Sequence, residues 1–538
     1  SACSSTGVVQ TAAYFPNNRI PSGLLDPNAQ RLLGAGIFPA PTTGAQYVGG
    51  TDSPTTVREE LVRIDHRFSD QFSMFGHWVS EHILQTFGTS MWSGDNVPTI
   101  GNTFGNPSYS AVVHSVYAIS PALINETAFN YNGNRIAIEP KGVIERPSGF
   151  DVPELFEGNN LNRIPQIALA GGTGATYDVS SWPWHNKADS YQIRNDLSWV
   201  RGSHQLKIGA SWALYKKIQD LFGQTQGAFT FNGTYTGNDF ADFLLGYANQ
   251  YNELAVQDNG YWNNVSLAAY VQDNWRVNNR LTLNLGLRWD GAPHTYEANN
   301  RMGNFYPELY NPALAAVLSP DGASISPSSP GLGPSPNPLM QGMQFYLNGI
   351  GIPGQNGIPK GLVDNHWAAF GPRIGFAYDL TGQGRTVLRG GFGSMYERVQ
   401  GNDMYNAGPN IPFSSAVSFN NVSLSNPNRS LLTGNTLVAP ITVANITGLS
   451  RTDYKMPTTY QFSLGVQQSL GARSVLSVSY VGSQSRHQSA FREINVPDSS
   501  VLPGLIAGTT VYNTVVPYRG FGSIQLAENA QNTSYNSM

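Results

Sequence analysis

The sequence predicts an all-β protein, an antiparallel up-and-down transmembrane β-barrel with long extracellular loops. Three observations predict it. From Thr282 to Asp290 the chain alternates without exception: Leu283, Leu285, Leu287 and Trp289 on one face, Thr282, Asn284, Gly286, Arg288 and Asp290 on the other. A strand has a side-chain period of two, so this one offers one face to an apolar medium and the other to water. The pattern recurs in paired segments joined alternately by very short and very long connections, as in outer-membrane barrels. Composition is the third. Only 12% of the 538 residues are charged, about half the usual share, while 11% are aromatic.

The expected elements follow in order. Segments 57–68 and 72–83 flank Ser69-Asp70, and 109–119 and 124–132 flank Ser-Pro-Ala-Leu. Segments 191–200 and 205–218 flank Arg-Gly-Ser-His, and 265–276 and 281–290 flank Val-Asn-Asn-Arg. Segments 373–380 and 385–396 flank Thr-Gly-Gln-Gly, and 459–469 and 474–482 flank Leu-Gly-Ala-Arg. Each turn is short and polar or Gly-bearing, as tight hairpins require. Segments 228–233 and 250–257 read as two more strands, with a brief helix between them because Phe240, Phe243 and Leu244 fall at helical spacing. Counting up and down places that helix on the short-turn rim. Tyr535-Asn-Ser-Met538 reads as the start of another strand. The total is about 14 strands in 57–538, an incomplete barrel, with 1–56 as a lead-in segment.

Two positions strain the pattern. Phe75 and Val79 oppose Met74 and Trp78 on one strand, and Asp273 shares a face with Leu267 and Val271. Near a rim an acid on the outer face costs little; at the bilayer midplane it costs far more. Trp199, Trp275 and Trp289 fall close to strand ends, as an interfacial girdle requires.

Several classes are excluded. No run of about 18 apolar residues exists, so no transmembrane helix is expected. The first residues lack the basic and apolar regions of a signal peptide, so either a mature protein begins here or, the stronger expectation, the sequence is an internal piece of a longer one. Cys3 is the only cysteine, which rules out an intrachain disulfide. A net charge of −4 gives no footing for nucleic acid. There is no Gly-x-Ser-x-Gly elbow and no P-loop, so no enzyme and no cofactor are expected. His77 and His82 are five apart, on opposite strand faces, and no metal site is expected there. Asp239 and Asp242 lack the further oxygens a calcium site needs. Seven Asn-x-Ser/Thr sequons are about what so much Asn, Ser and Thr produces by chance.

At this point a resemblance is visible. Phe15-Pro-Asn-Asn-Arg-Ile-Pro, Leu25-Asp-Pro, Phe38-Pro-Ala-Pro and Arg63-Ile-Asp-His-Arg-Phe-Ser-Asp resemble the Oar-like TonB-dependent outer-membrane receptors, which carry a carboxypeptidase-regulatory-like domain. Phe240-Ala-Asp-Phe-Leu-Leu-Gly, Tyr270-Val-Gln-Asp-Asn-Trp-Arg, Phe370-Gly-Pro-Arg-Ile-Gly-Phe-Ala-Tyr, Arg389-Gly-Gly-Phe-Gly, Gln461-Phe-Ser-Leu-Gly-Val-Gln and Ser479-Tyr-Val-Gly-Ser follow in the order expected. The resemblance implies a barrel of about 22 strands. It also implies a plug in the lumen and a TonB box; neither they nor the regulatory-like domain are recognisable in this sequence. The implied partners are the TonB complex, reached through the plug, outer-membrane lipid and an unidentified nutrient. A passive porin-like channel, or a structural or adhesive surface protein, are the alternatives.

The candidate site residues are polar. Arg63, Asp65, Arg67, Arg194, Asp196, Arg288 and Asp290 fall on the water-facing side of their strands. They are expected to line the lumen, either contacting plug and solute or simply pairing with one another. Loops 84–108, 133–188, 291–369 and 397–457 are rich in Asn, Gly, Pro and aromatics. Loops of this length are uncommon unless they have a function. Trp182 and Trp184, around Pro183, read as an exposed pair suited to ligand contact or to packing loops together.

Overall fold

The computed structural model describes residues 15, 19–44, 46–92, 97–154, 162–179, 182–220, 226–254, 259–337, 340, 343–398, 401–414, 416–427, 432–433, 436–437, 441–452, 454–471 and 473–538. Cys3 and the sequon at Asn428 lie outside them. One sheet of 16 strands dominates. Thirteen of these form an up-and-down wall: β1 (Thr55–Arg67), β2 (Phe72–Phe87), β3 (Ser108–Ser120), β4 (Leu123–Gly142), β5 (Trp184–Arg201), β6 (His204–Asp220), β7 (Asn259–Arg276), β8 (Leu281–Gly291), β9 (Ala369–Asp379), β10 (Thr386–Tyr396), β11 (Thr458–Gly471), β12 (Ser474–Glu493) and β13 (Phe521–Ser537). Every consecutive pair is antiparallel. The wall starts at β1 and ends at β13, which do not pair with each other among the described residues; Ala444–Leu449, from the connection after β10, adds a parallel strand to β13. No helix is long and apolar enough to cross a membrane among the described residues.

The register sorts the two faces. Leu285 pairs with Ile374 and Ile374 with Phe392. Further along, Phe129, Ile193 and Trp212 form another continuous row. All of these but Trp212 and Leu285 are more than 40% exposed, and those two are 39% and 37%. An exposed apolar band this continuous fits lipid rather than water. Leu283 to Trp289 covers about 20 Å of strand, close to the height of such a band. Asp273, the acid on this face, sits three residues from the end of β7, where His204 Nδ1 lies 2.7 Å from its Oδ2.

Two strand expectations are corrected. Segment 228–233 and the described part of 250–257, residues 250–254, are not part of the wall; 255–257 lie outside the described residues. Ala228–Phe231 and Tyr247–Leu254 belong to a separate five-stranded sheet with Gln166–Leu169, Thr176–Tyr177 and Ala416–Ser423. The helix between them is present as α2 (Asp239–Leu245), but β6 runs to the long-loop rim and β7 returns from it, so α2 lies on that rim. Among the described residues the wall therefore has 13 strands rather than about 14. Likewise Tyr535 closes β13 instead of opening a new strand.

The second sheet anchors a cover built from the long connections. Phe229, Phe231, Phe243 and Tyr251 are 0–1% exposed in one core with Ile167, Val417 and Leu32 of α1 (Pro27–Gly34). Asp26 caps α1 by accepting from the Asn28 and Ala29 amides, and Ser425 donates to its other oxygen at 2.8 Å. Asn238 caps α2 at one end, and Gly246, with φ of 73°, closes it at the other. So the part of the lead-in segment around α1, through Ile37 and Phe38, is folded into the cover.

Candidate functional site

The site is the inner face of the wall together with the cover that descends on it. In an alternating strand the register decides which polar residues meet. Asp65, Phe75, His114, Ala128, Arg194, Ser211, Ala268 and Asp290 form one continuous row across eight strands. Arg67, Asp196 and Arg288 share the adjacent row, through Ser73, Val116, Glu126, Gly209 and Tyr270. Arg63 lies on the next row on the other side, opposite His77. The seven charged residues singled out in the sequence thus share one face and three neighbouring rows.

That face is the one the cover packs on. Asp196, Ala268 and Trp262 are buried on it. Locally the charges pair along their own strands. Arg63 bonds Asp65 at 2.7 Å, Arg288 bonds Asp290 at 2.7 Å, and Arg194 lies 3.8 Å from Asp196. Arg67 turns to Asp70 at 2.9 Å instead. Tyr270 donates to Asp196 at 2.6 Å, its ring lying across β6 over Gly209, where a Cβ would fall 2.4 Å from the ring. Such pairs hold a polar wall without needing a ligand, and each exposed pair is worth little by itself.

The aromatic expectation is corrected at Trp182. It is 2% exposed, and its Nε1 donates to Ser90 at 2.8 Å. Trp184 begins β5 and is half-buried. The ring left in the open is Trp92, 71% exposed, packed against both. The bond to Ser90 crosses 92 positions of sequence, so local pattern carried no sign of it.

Asp239 and Asp242 are turn staples. Asp239 accepts from the Gly171 and Thr173 amides and from the Thr173 hydroxyl. Burial pushes its carboxyl up, but these bonds outweigh it and leave it below the usual carboxylate range. Asp242, fully buried, accepts from Thr236 and Tyr235, and there burial wins and holds the carboxyl high.

Sequence reasoning missed a cluster under the cover. Lys217 and Trp262 face each other across β6 and β7, and Tyr215 and Asn264 do the same two residues on. Tyr405, from α3 (Gly401–Tyr405), lies on both members of the first pair: 3.6 Å from Lys217 Nζ and 4.8 Å from the Trp262 ring. Arg398 packs on Tyr215 and donates to Asn264 at 3.2 Å. The strand register puts Lys217, Tyr215, Trp262 and Asn264 on the inner face, but a period of two carries no signal of burial.

Beside Arg398 lies a cavity of about 20 Å³ lined by His294, Asp364, His366 and Tyr454. Nε2 of His294 is buried with no hydrogen-bond partner among the described residues. Burial pushes this imidazole down to about 4. A depressed histidine contributes stability that is complete above its unfolded value near 6.5 and is lost as pH falls toward 4. Acidification across that window is expected to remove at most about 3 kcal/mol from the cover. Thermal unfolding from pH 8 to pH 4 checks this, and a His294→Gln variant is expected to show a flatter profile than the wild type.

Comparison with known proteins adds the following. The outer membrane beta barrel domain model matches residues 2–538. No curated protein matches. Among solved structures, the outer membrane transporter YddB from Escherichia coli is 12% identical, with a TM-score of 0.48 over 91% of this chain and 45% of that one. The siderophore receptor PirA from Acinetobacter baumannii is 11% identical, with a TM-score of 0.41 over 90% and 50%. The alcaligin receptor FauA from Bordetella pertussis is 9% identical, with a TM-score of 0.39 over 90% and 49%. This chain spans about half the length of each.

Proposed function

This chain belongs to the outer membrane beta barrel domain family, and from that premise we propose that it is the central wall of an Oar-like TonB-dependent receptor. Its place is the bacterial outer membrane. In this reading a nutrient binds the outward cover and the upper lumen, and an amino-terminal plug gates the pathway. Energy arrives from the TonB complex through that plug, and no covalent chemistry is involved. The complete barrel has about 22 strands.

One observation carries the reading. The inner face beneath the long-loop rim is capped by packed side chains, not left open. Trp262 and Met404 are 0% exposed, and Tyr405 is 7% exposed. A passive porin needs a continuous water-filled lumen. A receptor needs a mouth that holds its solute and opens on demand.

The test uses the full-length protein. Solute uptake by cells producing it is expected to stop when TonB is deleted. Reconstituted into liposomes without TonB, it is expected to give no unselective swelling. Rapid swelling with sugars of several sizes would instead establish a passive channel.

A further inference from the structure

Two buried hydrogen-bond donors meet under Tyr405, and neither has an anionic partner among the described residues. Lys217 is 7% exposed and, among the described residues, makes no ion pair; its ammonium rests on the Tyr405 ring. Trp262 is 0% exposed, and its Nε1 has no acceptor among the described residues. Arg398, an exposed residue of the connection after β10, packs one residue pair away on Tyr215, and its bond goes to the neutral amide of Asn264. Buried charges in native proteins are paired, and buried donors are satisfied. An aromatic face compensates an ammonium only weakly compared with a charged acceptor. A water molecule would satisfy the indole but would not neutralise the lysine.

We propose that Lys217, Trp262 and Arg398 form a binding site for an oxyanion, the carboxylate or phosphate group of a solute, with Tyr405 as the ring that covers it when empty. The ammonium and guanidinium supply the charge, and the Trp262 N–H supplies a directed donor. Tyr405 belongs to a five-residue helix in the connection after β10 and is not itself part of a wall strand. That this anion belongs to the transported nutrient rests on the receptor reading; binding itself does not.

The test is binding of two probes, inorganic phosphate and acetate, to the purified full-length protein in detergent. Chloride at equal ionic strength serves as the control. Calorimetry gives affinity, and protection of Lys217 from amine acylation, read by mass spectrometry, gives location. At least one probe is expected to bind and to protect Lys217. Saturation by phosphate alone assigns a phosphate group, by acetate alone a carboxylate, and by both the shared chemistry. Trp262→Phe keeps the ring and loses only the N–H, and Lys217→Met removes the charge. Each is expected to weaken binding about 10- to 100-fold. Tyr405→Ala is expected to tighten it. Far-ultraviolet circular dichroism confirms that each variant is folded. No binding of either probe up to about 10 mM, or equal binding by wild type and Trp262→Phe, overturns the site. Binding without TonB-dependent uptake would keep the site and overturn the receptor reading.

Discussion

Ile374→Arg is expected to prevent stable insertion of the wall, while Gly375→Arg, one residue on, leaves it intact. Both lie near the middle of β9. Ile374 is 53% exposed and sits in the row of Leu285 and Phe392, so its side chain meets lipid. An arginine at the bilayer midplane on that face costs about 2–4 kcal/mol. Gly375 sits between Asn284 and Gly391 on the inner face. A Cβ there meets nothing nearer than 3.5 Å, and the longer side chain extends into the lumen. Urea unfolding of the full-length protein in lipid vesicles measures both. Equal costs would mean that the two faces do not meet different solvents.

Phe243→Ala is expected to unfold the cover and leave the wall standing. Its ring is 0% exposed and packs edge-on against Phe38 at 5.9 Å and Phe231 at 5.4 Å. Those partners come from the lead-in segment and the second sheet, so one ring ties several connections together. Removing a buried phenyl ring costs about 3–5 kcal/mol, most of what a small unit has to spare. Wall strands have their own hydrogen-bond ladders and an apolar face supported by lipid, so the loss stays local. Hydrogen exchange is expected to accelerate in Gln166–Leu169, Ala228–Phe231 and Tyr247–Leu254 and to remain unchanged in β7 to β10. Acceleration throughout would show that cover and wall unfold as one unit.

The wall was legible because its information is local. Leu283 to Trp289 state their faces by alternation alone, and turns such as Ser69-Asp70 state the hairpins. That Arg63, Asp65, Arg194, Asp196, Arg288 and Asp290 share one face of the sheet followed from the same alternation. The cover was not legible in this way. Phe229 and Phe231 alternate as a wall strand would, and a period of two does not say which sheet a strand joins. Their parallel partner Gln166–Leu169 is fixed by tertiary packing instead. Trp182 looked exposed because its partners Ser90 and Trp92 are distant in sequence. Lys217 is buried by Tyr405, which belongs to a different connection, so one strand's pattern carries no trace of it.

The most direct test replaces each residue from Leu283 to Trp289 by cysteine, one at a time, in the full-length protein in native outer membrane. Cys3, the only cysteine in this sequence, is first changed to serine. Labelling with a membrane-impermeant, water-soluble thiol reagent, in membranes open on both sides, is expected to alternate. Asn284, Gly286 and Arg288 positions should react, and Leu283, Leu285, Leu287 and Trp289 positions should resist. Labelling that is uniform along the strand, or that recurs every three to four residues, would contradict a two-faced barrel stave.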